Sequence, residues 1–251
     1  MLGVRRLLRR AVRSYRWRIC HRWRIRRRRK IKLFGIGRNK TGTTSLATAM
    51  HDLGYICAPQ RPFELLFDDW VDRRFDRILK LCRNYEAFQD TPFSLPYTYQ
   101  ALDRAFPGSK FVLTVRDSAE AWYRSVTRFH SRLFGGGEIP TSRMLREAAY
   151  CYPGWMLKVV QGVYHTDPEN LYDRDALMRT YERHNESVVD YFVNRPDDLL
   201  VLNVASSGAY AMLCEFLGQP CTTQDFPWKN QTDHIAVRAV STAAPKSAST
   251  P

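Results

Sequence analysis

Short, nearly uninterrupted apolar runs alternate along this chain with longer stretches whose apolar residues recur every three or four positions. Leu33-Phe34-Gly35-Ile36 predicts a buried strand, followed by a loop and a helix over Thr43–Leu53 that stops at Gly54. Glu64–Cys82 reads as one charged helix, Glu86–Gln89 as a short strand, and Asp90-Thr91-Pro92 as a turn. Tyr97–Ala105 predicts a helix closed by Pro107-Gly108. Phe111-Val112-Leu113-Thr114-Val115 is the clearest strand, and its continuous apolar character suits a parallel strand buried on both faces. A helix from Ser118 carries Trp122, Val126, Phe129 and Leu133 on one face and breaks at Gly135-Gly136-Gly137. A helix over Asn170–Val193 presents Leu177, Tyr181, His184, Val188 and Phe192, and Leu199–Val204 reads as a further buried strand. Ser206–Leu217 is a helix capped by Gly218, and the Ala/Ser/Thr/Pro stretch 233–251 reads as a disordered tail. Repeated strand–helix alternation predicts an α/β fold, a central parallel sheet with helices on both sides.

Charge divides the chain differently from hydropathy. The 251 residues carry 39 Lys+Arg and 25 Asp+Glu, a formal charge of +14. Residues 1–30 hold 13 Arg, Lys30 and no acid, so the whole excess lies in this leader and the body sums to zero. A body without net charge carries no global attraction for polyanions, and no specific nucleic acid is expected as a partner. Within the leader, Val4, Leu8, Val12, Tyr15, Ile19 and Trp23 fall near helical spacing among arginines, which suits an anionic membrane surface. A solvated tail and an Arg-rich targeting segment are the alternatives. No stretch reaches the roughly 18 apolar residues of a membrane span. Six scattered cysteines show neither zinc spacing nor a disulfide framework, so a cytoplasmic protein, peripheral on a membrane at most, is expected.

The chemistry concentrates in Gly37-Arg38-Asn39-Lys40-Thr41-Gly42-Thr43-Thr44-Ser45-Leu46, between a buried strand and a helix. Such a loop aims backbone N–H groups and a positive helix end at one point, a geometry that binds phosphate. Gly42 permits close approach, the threonine hydroxyls donate, and Lys40 supplies a point charge. It is not a Walker A loop: counted from Gly37, that pattern requires lysine at position 43, where Thr43 stands. The lysine lies two residues before the second glycine, on the loop crest, nearer the bridging oxygen of a bound anhydride than its outer oxygens.

Lys40-Thr41-Gly42-Thr43-Thr44-Ser45-Leu46 resembles the K-x-G-T-T-S-L loop of sulfotransferases that use 3′-phosphoadenosine 5′-phosphosulfate (PAPS). A strand ending in Arg116 and a helix bearing Ser125 look like that superfamily's second element, which holds the 3′-phosphate. Segments at 181–185, 195–202, 213–218 and 226–230 extend the similarity over about residues 31–231. The serine follows the arginine by nine positions instead of the usual eight, and Trp228 stands where many relatives have His. The resemblance implies a three-layer P-loop NTPase-like fold over 31–232, PAPS as co-substrate without a metal, and Arg38, Asn39, Lys40, Thr41, Gly42, Thr43, Thr44, Arg116 and Ser125 as its contacts.

The implied reaction moves a sulfuryl group to a hydroxyl or amine, and the acceptor would be a small molecule or a carbohydrate. Lys40 would be catalytic, and Asp90, after a short strand, is the candidate general base. His130 reads as following a helix and is a weaker candidate; His51 and His184 read as ordinary helix residues. Residues 134–170, with Tyr150, Tyr152, Trp155 and Tyr164, are expected to shape the acceptor pocket. Two rivals follow from the same residues. A nucleotide or small-molecule kinase would share the fold but needs a Walker lysine and a magnesium-holding acid. A non-catalytic protein would act through the basic leader on membrane or nucleic acid.

Overall fold

Each apolar run is a strand of one sheet, and the computed structural model describes residues 30–221, 223, 225 and 226. The leader up to residue 29, Trp228 and the tail from 233 lie outside the described residues. The strands are β1 (Leu33–Gly35), β2 (Ala87–Phe88), β3 (Lys110–Thr114) and β4 (Leu199–Leu202), all parallel in the order β2-β1-β3-β4. The helices, in chain order, are α1 (Thr43–Asp52), α2 (Gln60–Glu64), α3 (Phe67–Val71), α4 (Asp76–Cys82), α5 (Thr98–Ala105) and α6 (Ala119–Phe134). They continue with α7 (Ser142–Glu147), α8 (Trp155–Tyr164), α9 (Arg174–Phe192) and α10 (Ala209–Leu217).

Alternation along the strands generates the three layers. Phe34, Phe88, Phe111 and Leu113 point to one face and Leu33, Ala87, Val112 and Leu202 to the other, and each set joins a separate buried cluster. On the second face α1 supplies Leu46, Ala49 and Met50, and α10 supplies Ala209, Tyr210, Leu213 and Cys214. On the first, Phe34 stacks on Phe88 at 4.7 Å and on Phe111 at 5.4 Å, and Phe111 meets Phe192 of α9 at 4.8 Å. The chain is thus an α/β protein with a parallel sheet flanked by helices, as its pattern predicts.

Three expectations need correction. Glu64–Cys82 is not one helix: α2, α3 and α4 divide Gln60–Cys82, because Arg73 sits at φ 58 and Phe67 and Trp70 turn inward to bury their rings. β4 ends at Leu202 and is only half-buried, with Val201 43% exposed, because it lies at one edge of the sheet among the described residues, whereas the other edge, β2, is covered by Cys57. The stretch 134–170, given no elements from sequence, contains α7 and α8.

In a parallel sheet all carboxyl ends lie along one edge, where open α/β sheets place ligand contacts. Here that edge gathers the 36–42 loop after β1, Gln89–Thr91 after β2 and Val115–Ser118 after β3. Close packing fixes the first of these. A Cβ on Gly37 would lie 2.2 Å from Thr114 Oγ1 and 2.3 Å from the Thr114 carbonyl oxygen. Backbone of β3 cannot give way as a flexible side chain would. Gly37→Ala is therefore expected to cost about 1–3 kcal/mol, read as a lowered urea midpoint at unchanged slope.

Candidate functional site

The loop after β1 is held by bonds to its own carbonyls. Ile36 donates its N–H to the Val112 carbonyl (2.9 Å), and its own carbonyl is bonded to His184 Nε2 (2.8 Å). Lys40 at φ 66 and Gly42 at φ 98 then turn the chain into α1. Trp122 Nε1 donates to the Asn39 carbonyl (2.9 Å), and Arg116 Nε to the Lys40 carbonyl (2.8 Å). Tyr181 completes the clamp: its hydroxyl accepts from the Arg116 N–H (3.0 Å), and its ring stacks on Trp122 at 4.7 Å.

Two of the loop residues expected at the ligand turn their side chains inward. Thr41 is fully buried, its hydroxyl bonded to the Arg38 carbonyl and to Thr114 Oγ1, both at 2.6 Å. Arg38 is 2% exposed, donates from Nη1 to the Ser94 carbonyl (2.9 Å) and lies 5.4 Å from the centre of the Tyr164 ring. These side chains form the underside of the loop. Asn39, Lys40, Gly42, Thr43 and Thr44 instead line a cavity of about 220 Å³, together with Asp90 and Arg116. Helix α1 begins on N-cap Gly42, which has no side chain to bond the first-turn N–H groups, and that turn contains no acid. An anion is the natural partner for such an end.

Ser125 is not among the cavity-lining residues. It lies half-buried on α6, one turn before Phe129, which lines the cavity and has the Lys40 ammonium 3.9 Å from its ring centre. Neighbouring Arg124 points to solvent and pairs with Glu120 at 2.8 Å. Ser118, at the start of the same helix, is its N-cap, accepting from the Ala121 N–H. Asp117, the simplest ion-pair partner for Arg116, accepts instead from Asn203 Nδ2 at 2.6 Å.

The cavity brings groups of both charges together. Burial, with Arg116 nearby, lowers the Lys40 pKa to about 8, Asp90 opposing the shift. Burial raises the Asp90 carboxyl above its usual range; the Thr91 N–H bond (2.8 Å) opposes this, Glu64 adds to it, and Arg38 and Lys40 offset it. His130 is a residue of α6, not one beyond its end, and it is bonded to the Tyr172 hydroxyl at 2.8 Å. Burial drops its pKa to about 3, so it is neutral. Tyr150, Trp155 and Tyr164 of the 134–170 stretch line the cavity with Met156, Val159 and Val160, while Tyr152 is 39% exposed and is not part of it. Glu64, which the sequence places at the start of a charged helix, also lines it, as does Gln60, which the sequence did not single out. Their four-residue spacing was the available signal. His184 and Tyr181, read as packing, brace the loop.

Among the described residues no group of three or more His, Cys, Asp or Glu side chains is gathered as a metal site. A family model described as a sulfotransferase domain matches residues 32–235. No curated protein matches the chain.

Two buried neutral histidines tie loop and cavity to pH. His184, like His130, is pushed to about 3 by burial, against an ordinary 6.5. A depressed folded pKa contributes stability that is present above 6.5 and lost as pH falls toward 3. Each histidine can contribute up to about 1.4 kcal/mol per pH unit across that window. Urea unfolding between pH 7 and 4 should show the decline, and His184→Gln should make it shallower.

Proposed function

The chain belongs to the sulfotransferase domain family, and from that premise we propose that it moves a sulfuryl group from PAPS to a hydroxyl or amine acceptor, releasing 3′,5′-adenosine bisphosphate. One observation carries this reading: a single cavity is lined by Lys40, Thr43, Thr44 and Arg116 together with Asp90 and several aromatic and apolar side chains. The donor set fits a phosphosulfate, being cationic or N–H-donating throughout and free of first-turn acids. Lys40, Gly42, Thr43 and Thr44 would hold the 5′-phosphosulfate, with Arg116 and Ser125 at the 3′-phosphate. Arg116 commits Nε to the loop, so its terminal nitrogens are the part offered to phosphate. PAPS supplies the activated sulfuryl group.

The protein's own contribution is positioning and charge. Asp90 accepts the acceptor's proton as the acceptor oxygen bonds to sulfur. Lys40 neutralises the charge that builds on the departing phosphate oxygen as the sulfur–oxygen bond breaks. An Asp90 pKa raised by burial suits a base that must take a proton near neutral pH. Tyr150, Trp155, Tyr164, Met156 and Val160 would bind an acceptor with an apolar or aromatic body, a phenol, an alcohol or a sugar face. Among the described residues no helix is long and apolar enough to cross a membrane. We read residues 31–232 as the catalytic domain of a cytoplasmic protein that residues 1–30 can bring to an anionic membrane surface.

Thermal unfolding with 3′,5′-adenosine bisphosphate, and separately with ATP–Mg²⁺, tests the donor. The bisphosphate is expected to raise Tm; a rise with ATP–Mg²⁺ alone would favour a kinase. Bisphosphate affinity should be greatest near pH 7 and decay as pH rises through about 8 as Lys40 loses its charge, with the midpoint moving upward where the bound anion stabilises the ammonium. With PAPS and a panel of phenols, benzylic alcohols and amines, Lys40→Ala and Asp90→Asn should each reduce kcat by at least about 100-fold. Wild-type turnover in either variant removes that residue from its role.

A further inference from the structure

The Asp90 carboxylate does not stand alone in the cavity. It follows β2 at φ 64, and its two oxygens have different fixed partners. Oδ1 accepts from the Thr91 N–H at 2.8 Å, and Oδ2 accepts from Gln60 Nε2 at 3.3 Å. The same Gln60 nitrogen donates to Glu64 Oε1 at 2.8 Å. An amide nitrogen carries two hydrogens, and here each goes to a different carboxylate. Glu64 is buried, 3% exposed, and both its oxygens have fixed partners. Oε1 also accepts from the Tyr150 hydroxyl (3.0 Å), while Oε2 faces Arg61 Nη1 (3.3 Å) and the Cys151 thiol (3.5 Å). Three hydrogen bonds and the Arg61 ion pair thus occupy both Glu64 oxygens, and Arg61 Nη1 also donates to the Cys151 sulfur. Asp90, with one partner on each oxygen, retains acceptor capacity toward the cavity.

We propose that Gln60 and Glu64 are positioning residues: Glu64, anchored by Tyr150, Arg61 and Cys151, fixes the Gln60 amide, and that amide aims the Asp90 carboxylate at the acceptor. The inference rests on the reading of Asp90 as general base. The arrangement couples three chain segments at one carboxylate, because Tyr150 and Cys151 precede α8, which walls the acceptor side, while Gln60 and Glu64 form α2. The second carboxylate also acts through space. Around Asp90 stand Glu64 and Gln60 from α2, Arg38 and Lys40 from the loop after β1, and Arg116 after β3. The cavity wall adds neutral His130 of α6, Tyr150 before α8 and Tyr164 of α8. Glu64 is the negative charge in this set that works against ionisation of Asp90, and the Gln60 N–H works for it.

Two substitutions therefore move one titration in opposite directions. Gln60→Met keeps length and removes the donor, so the Asp90 titration should shift to higher pH. Glu64→Gln keeps shape and removes the neighbouring charge, so it should shift to lower pH. The readout is the carbon-13 signal of the Asp90 side-chain carboxyl in the full chain saturated with 3′,5′-adenosine bisphosphate, assigned by its loss in Asp90→Asn. It needs no acceptor. A bisphosphate-induced rise in Tm equal to that of the unaltered protein certifies that each variant is folded with its donor site intact. With PAPS and the best acceptor of the panel, Gln60→Met should lower kcat about tenfold and leave the KM for PAPS unchanged. Opposite shifts support the positioning role. Titrations that stay put in both folded variants, with Asp90→Asn inactive, overturn it and leave Asp90 as base. Full turnover by Asp90→Asn overturns the base assignment, and the positioning role falls with it.

Discussion

The carbonyl oxygens of Asn39 and Lys40 are the points on which the site hangs. Both are gripped by side chains from the stretch after β3, Trp122 of α6 and Arg116. A backbone residue at φ 66 such as Lys40 lies in a region most side chains avoid, at a cost of about 1–3 kcal/mol. The surrounding bonds must hold it there. The loop after β1 is therefore specified less by its own sequence than by β3, α6 and α9, whose Tyr181 and His184 brace the clamp from behind. One consequence is that Arg116 has two duties: it shapes the loop through Nε, and it brings charge to the same cavity.

That cavity must satisfy opposite demands within a small volume. Lys40 and Arg116 repel one another, and the depressed pKa of Lys40 records burial first and this repulsion second. Asp90 and Glu64 repel as well, and the Gln60 amide between them supplies a hydrogen to each. Placing cations on the β1 and β3 loops and carboxylates on β2 and α2 separates charges of one sign along the sheet edge. Asp90 then feels the charges of Lys40 in the cavity and of Arg38 beneath the loop, and is partly compensated by them. A carboxylate locked in a short salt bridge would be a poor proton acceptor. One held by Thr91 and Gln60, with a cation nearby, stays available.

The parts of this structure legible in the sequence are those written in local pattern. The continuous apolar run at 111–115 and the shorter one at 33–36 identified two parallel strands, and the Gly37–Leu46 text marked the loop joining a strand to a helix. Glu64–Cys82 reads as one helix because its breaks come from inward-turned Phe67 and Trp70 and from Arg73 at positive φ, none of which announces itself with glycine or proline. Within the loop, alternation of inward and cavity-facing side chains could not be read from residue types, since Thr41 and Thr43 are chemically identical and differ only in what β3 presents to them. Glu64 was hidden for a related reason. A glutamate opening a charged segment reads as a solvated helix residue, and the contacts that bury it come from Tyr150 and Cys151, far along the chain.

The separation of leader from body in charge has a counterpart at the scale of the site. A neutral body with a strongly basic leader offers no broad field to gather anions at the sheet edge, so recognition there must come from short-range groups. Short-range recognition needs fixed geometry, because a hydrogen bond weakens steeply over a few tenths of an ångström and a few tens of degrees. This accounts for how much of the surrounding structure is spent on immobility: glycines pressed against β3 and Val204, a fully buried Thr41, a tryptophan and a tyrosine stacked behind Arg116. A site of this kind trades adaptability for placement. In a transfer whose chemistry demands in-line positioning above all, placement is the larger contribution.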